Sequence, residues 1–167
     1  MKITFAILSF WTLLLASTLS APAVEVGPLV EQLKAVGPKG EGSGPAAEAW
    51  AELSKADAEQ IPEILAGLTN ANVLAANWIR SAVDAVAGRA AAEGKPLPAE
   101  RLEAFVLDRG MNPRARRTAY ELLLRADPTA ADRLVPGFLD DPSVELRRDA
   151  VERVIGRADE LDKAEKK

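Results

Sequence analysis

Three arginines fall within four positions, at Arg114, Arg116 and Arg117. A guanidinium is a permanent cation with a planar fork of donors that fits a carboxylate or a sulfate. The patch is therefore suited to holding a carboxylate, a sulfated glycan or an acidic partner, while solvated helix surface paired with Glu121 and with acids in nearby turns is the plainer reading. Asp140 and Asp141, with Asp108 near the preceding turn, have the composition of an acid/base pair or a loose calcium site. Adjacent residues point in different directions, the stretch lacks the ligand density of an EF-hand loop, and capping of the following helix accounts for the carboxylates. Trp78, flanked by Asn77 and Arg80, offers a face for stacking or a cation–π contact, with core packing as the alternative. The glycine-rich stretch 37–44 invites a phosphate cradle of backbone amides. It does not match GxxxxGK[ST], its only lysine precedes most of the glycines, and no strand feeds it; a helix connector is expected.

The rest of the composition removes the commoner chemistries. The 167 residues include no histidine and no cysteine. Disulfides, thiolate nucleophiles, Ser-His-Asp and Cys-His relays, and zinc sites built on those residues are excluded. No catalytic residue, metal or cofactor is expected. Apolar residues make up 48% of the chain but aromatics only 5%, so a core must be built from Ala, Leu and Val, which favours close helix packing.

The elements that must position these groups read as helices throughout. Ala58, Ile61, Ile64, Leu65 and Leu68 recur at helical spacing, as do Leu102, Phe105 and Val106, and Ala115, Ala119, Leu122 and Ala126. Breakers rich in Gly, Pro, Asp and Asn separate the runs. The spacing predicts helices at about 28–36, 45–54, 57–68, 73–92, 98–108, 113–126, 129–139 and 143–158, with ends uncertain by about 2–4 residues.

These helices are not unrelated. Arg114–Leu123 lies over Glu145–Val154 with a shift of 31 residues and four identities, and Trp78–Asp84 lies over Ala115–Glu121 with Arg80 and Ala82 aligned on Arg117 and Ala119. Pairs recurring every 31 to 37 residues indicate a solenoid. With a proline in the first helix of a pair (Pro62, Pro136), a turn of Asp, Asn and Pro, and Asp141, Val144, Arg148 and Ala150 in a D-x-x-V-x-x-x-R-x-A-like order, the chain resembles the HEAT-repeat family over residues 57–158. The likeness is strongest over 129–158. The middle unit has Asn112-Pro113 where Asp and Val are usual, and the register over 69–77 is ambiguous by about a turn.

The expected organisation is all-α, an α-solenoid of stacked antiparallel helix pairs. Three HEAT-like repeats are expected at 57–92, 98–126 and 129–158, preceded by a cap pair with its glycine-rich connector over 24–56 and followed by a charged helix extension or tail over 159–167. Asn112, and Asp141 or Ser143, would cap second helices, and Ala82, Ala119 and Ala150 would allow close approach. Leu122, Leu123, Val151, Val154, Phe105 and Phe138 would fill the shared core. Arg117 with Glu121, and Asp149 with Arg153, are i, i+4 partners, and Arg80, Arg117 and Arg148 would form a ladder with turn acids of adjacent repeats.

The N-terminus points to export. Met1 and Lys2 precede an apolar run to Leu19 and the small-residue site Ala21-Pro22-Ala23, the pattern of a cleavable signal peptide over 1–23. The remaining chain carries 20 basic against 25 acidic residues, too acidic for a nucleic-acid surface. Between Glu100 and Arg157 the charges balance at 11 each and every base is Arg. A periplasmic or extracellular protein, with no membrane anchor once cleaved, is expected.

The resemblance implies a non-catalytic scaffold or protein-binding module that takes a protein partner along the solenoid face. The candidate surface is Asn77, Trp78, Arg80, Arg114, Arg117 and Arg148. Two alternatives stand beside it. One is an enzyme or enzyme-associated subunit like the HEAT-like tetrapyrrole lyases, which would need carboxylates and Tyr120 in one pocket. The other is a spacer in a larger exported protein with further repeats or domains.

Overall fold

In the computed structural model, which describes residues 23–166, eight α-helices follow one another with no strand among the described residues. They are α1 (Val26–Lys34), α2 (Ser43–Leu53), α3 (Ile61–Ala66), α4 (Val73–Ala92), α5 (Ala99–Leu107), α6 (Pro113–Ala126), α7 (Ala130–Leu134) and α8 (Val144–Glu165). The signal-peptide expectation falls almost wholly on residues outside this range. No helix among the described residues is long and apolar enough to cross a membrane.

The three longest helices start where polar caps satisfy free amides. The Asn72 side chain accepts from the Ala75 amide at 2.9 Å, that of Asn112 from Arg114 and Ala115 at 2.9 and 3.2 Å, and Ser143 Oγ from Leu146 at 3.4 Å. Pro113 occupies the first position of α6, where its missing donor costs nothing. Asp141, the other expected cap, instead accepts from the Ser143 amide at 2.8 Å.

Prolines shape the shorter elements. The expected helix over 57–68 begins as a 3-10 turn, Ala58–Gln60, before α3, with Pro62 in the first turn of α3. The expected helix over 129–139 splits into α7 and a 3-10 segment, Val135–Phe138, because Pro136 has no amide to continue the α-helical ladder. Of the glycine-rich stretch, residues 37–42 form a turn closed by the Gly37 amide donating to the Glu41 carbonyl at 2.9 Å, and Ser43 and Gly44 open α2. Gly42 sits there at φ 72°, where a Cβ would also stand 3.1 Å from the Ala35 carbonyl oxygen.

Helices pack with their chain neighbours. α1 lies against α2, α3 against α4 and α5 against α6, while α8 lies against the Val135–Phe138 segment. The first pair rests on α3 and α4, α3 reaches α5 and α6, and α6 reaches α7 and α8. One apolar cluster runs from Val26 to Ala150. Ala82, Ala119 and Ala150 are buried in it, which lets helix backbones approach closely. Leu122, Leu123, Phe105 and Phe138 are also buried, but Val151 and Val154 are not: beyond Ala150 every described residue of α8 is exposed, and no described element covers that part of the helix.

Candidate functional site

The starts of α4, α6 and α8 bring four of the six sequence-nominated residues together. Arg117 and Arg148 each stand five positions after a cap, at Asn112 and Ser143, whereas Arg80 stands eight after Asn72, one helical turn further along. The extra turn of α4 corresponds to the register ambiguity seen in the sequence over 69–77. Arg80, Arg114, Arg117 and Arg148 line one groove of about 430 Å³ with Thr118, Glu121 and Glu145.

The arginines are not equally committed. Arg117 is half-buried, donates to Glu121 Oε1 at 2.7 Å and to Asp149 Oδ2 at 2.5 Å, and holds its guanidinium 5.8 Å from the centre of the Tyr120 ring. Burial works against its charge, but the bonds to Glu121 and Asp149 outweigh burial and keep its pKa above the ordinary arginine value. Arg148 has an exposed pairing with Glu152 at 3.4 Å, of the kind that contributes little. Arg80 and Arg114 form no ion pair among the described residues. The groove thus presents two unpaired guanidiniums and one loosely paired one, on a scaffold where Arg117 is fixed.

Asn77 and Trp78 do not line it. Asn77 is exposed one turn before Arg80, and Trp78 is half-buried against the core. Ser81 links the two tryptophans of this region: its hydroxyl accepts from Trp50 Nε1 at 2.8 Å and donates to the Trp78 carbonyl at 2.9 Å.

The expected arginine ladder takes a different form. Asp149 pairs with Arg117 rather than with Arg153, whose guanidinium reaches Asp132 at 2.9 Å on α7. The deepest rung is Arg116, which the sequence reading placed only in the surface patch. Its guanidinium forms a fork with Asp141 at 2.8 and 2.7 Å, its Nε donates to the Val106 carbonyl at 2.7 Å, and the residue is 1% exposed. Arg147, at the equivalent place on α8, donates to the Asp141 carbonyl. Burial pushes the Asp141 carboxyl up, but the bonds from Arg116 and the Ser143 amide prevail and hold it below the usual carboxylate range. One signal for this rung was present: Arg116 aligns with Ile79, and it falls on the helical stripe of Ala119, Tyr120 and Leu123, all buried.

The three aspartates do not converge. Asp140 holds Arg109 at 2.8 Å, Asp108 accepts from the Gly110 amide at 2.9 Å, and Asp141 belongs to Arg116. No group of three or more potential metal ligands occurs among the described residues. Tyr120 lies in the core, edge-on to Phe138 with ring centres 5.7 Å apart, and does not line the arginine groove.

No family model matches the chain, and no curated protein or solved structure matches it significantly.

Proposed function

We propose that this is an exported HEAT-like repeat protein whose helix pairs stack as an α-solenoid, and that the groove across α4, α6 and α8 binds a carboxylate-bearing segment of a protein partner. The reading is carried by the convergence on one groove of Arg80, Arg117 and Arg148, which correspond in the internal repeat, with Arg114 of the arginine cluster. The order of helix contacts along the chain and the caps that open α4, α6 and α8 support the stacked arrangement. Chemistry favours acidic side chains as the ligand: Arg80 and Arg114 line the groove and form no ion pair among the described residues. The acidic balance of the whole chain argues against a long polyanion.

The test combines capture and a defined probe. The chain and a variant with Arg80→Ala, Arg114→Ala and Arg148→Ala are compared for capture of cell-envelope proteins and for binding of a fluorescent glutamate-rich peptide at two salt concentrations. The expected result is salt-sensitive binding that the variant loses with unchanged helicity; equal binding by both proteins overturns the groove assignment.

A further inference from the structure

The longest exposed apolar feature among the described residues lies on α8, whose Glu145 and Arg148 also line the arginine groove. Val151, Val154, Ile155 and Leu161 are 42–61% exposed, and with exposed Ala158 they follow i, i+3, i+4, i+7, i+10, one face of a helix. Val144, also exposed, continues the face one heptad earlier. Such a stripe, rimmed by charged residues, has the form of an association surface.

The charges say what fits it. Val144–Arg157 carries Arg147, Arg148, Arg153 and Arg157 against Glu145, Asp149 and Glu152, a net +1; Ala158–Lys167 carries Asp159, Glu160, Asp162 and Glu165 against Lys163, Lys166 and Lys167, a net −1. A second α8 laid antiparallel sets the basic half of each against the acidic half of the other, whereas a parallel one sets like against like.

We infer that α8 pairs with α8 of a second copy of this chain, antiparallel about a twofold axis near Ile155. In this register Val151 meets Leu161 of the other copy, Val154 meets Ala158, and Arg148 stands two residues, about 3 Å along the axis, from the level of Asp162, within reach of its long side chain. The contact is isologous, so it closes at two copies. Five apolar residues from each helix make a seam at the small end of specific interfaces, so the dimer forms in a concentration-dependent equilibrium.

The absence of native cysteine makes the geometry directly testable. Sedimentation of the purified chain should show a monomer–dimer equilibrium, weakened about tenfold or more by Ile155→Glu with the circular dichroism of the monomer retained. Arg148→Glu and Asp162→Arg should each weaken it, and the double variant should restore it. Under mild oxidation, Ile155→Cys should cross-link to itself. Leu161→Cys should not, since its copies stand about 15 Å apart along the seam at 1.5 Å per residue, but it should cross-link when mixed with Val151→Cys. A chain that stays monomeric at all concentrations, an association indifferent to Ile155→Glu, or self-cross-linking of Leu161→Cys overturns the inference; the first of these outcomes leaves the face to a different protein or to further helices.

Discussion

Arg116 on α6 and Asp141 in the turn before α8, 25 residues apart in sequence, meet as two parallel hydrogen bonds of 2.8 and 2.7 Å with each residue only 1% exposed. Each has a further partner, the Val106 carbonyl for Arg116 and the Ser143 amide for Asp141. The pair therefore joins the end of α5, the body of α6 and the start of α8 at one buried point.

Removing one member leaves the other charge buried. Arg116→Met is expected to cost about 3–5 kcal/mol, as is usual for a broken buried ion pair. Arg116→Met with Asp141→Leu should recover part of the loss but not all, because the Val106 carbonyl and the Ser143 amide stay unpartnered. Urea unfolding of the three variants checks both statements; a cost below about 1 kcal/mol for Arg116→Met would mean that the fork is solvated.

The same pair sets a pH dependence. The folded-state pKa of Asp141 lies below its ordinary value of about 3.9. Its contribution to stability is thus complete above that ordinary value and is lost as pH falls through the lower folded value, where the native carboxylate takes up its proton. Melting temperatures between pH 2 and pH 6 should fall on the acid side, and Asp141→Asn should lower the plateau while flattening the acid limb. An acid limb of undiminished slope in that variant would assign the acid sensitivity to other carboxylates.

Partner choice around Arg117 is open to double-mutant cycles. Arg117 and Asp149 should couple by about 0.5–1 kcal/mol, since both are half-buried, whereas Asp149 and Arg153 should add without coupling. Coupling between Asp149 and Arg153 would restore the simple i, i+4 reading.

Close approach rather than backbone conformation fixes Gly67. A Cβ there would stand 2.5 Å from Val30 Cγ1 and 2.9 Å from the Ile64 carbonyl oxygen. Gly67→Ala is expected to destabilise by about 1–3 kcal/mol, with partial relief from Val30→Ala. Thermal unfolding of the single and double variants reads this, and a neutral Gly67→Ala would show that α1 shifts freely on α3.

Local signals made the helical frame legible. Asn72, Asn112 and Pro113 mark helix starts by chemistry internal to a few residues, and α4 and α6 begin and end where the spacing places them. Alignment of Arg80, Arg117 and Arg148 was enough to find three walls of the groove, because equivalent positions on neighbouring helices face the same way. Tertiary context governed the remainder. Arg116 looked like surface because a buried arginine depends on a carboxylate 25 residues away and on a carbonyl that no pattern displays. Val151 and Val154 looked like core because their spacing is that of Val and Leu residues that are buried, yet burial needs apolar cover, and among the described residues none lies over them. Trp78 allowed both a ligand face and core packing, and its position on α4 turns it partly toward the core.

The last of these contrasts gives α8 two thermodynamic characters. Leu146 and Ala150 anchor its first two turns in the core, while the fifteen residues from Val151 to Glu165 hold their shape by backbone hydrogen bonds and a few side-chain pairs such as Lys166 with Asp162. An uncovered helix of about 12–15 residues is marginal in water. Backbone amides should therefore exchange slowly before Ala150 and quickly after it, and whatever covers the outer half would register as a helix–coil transition within an element that is continuous in the structure.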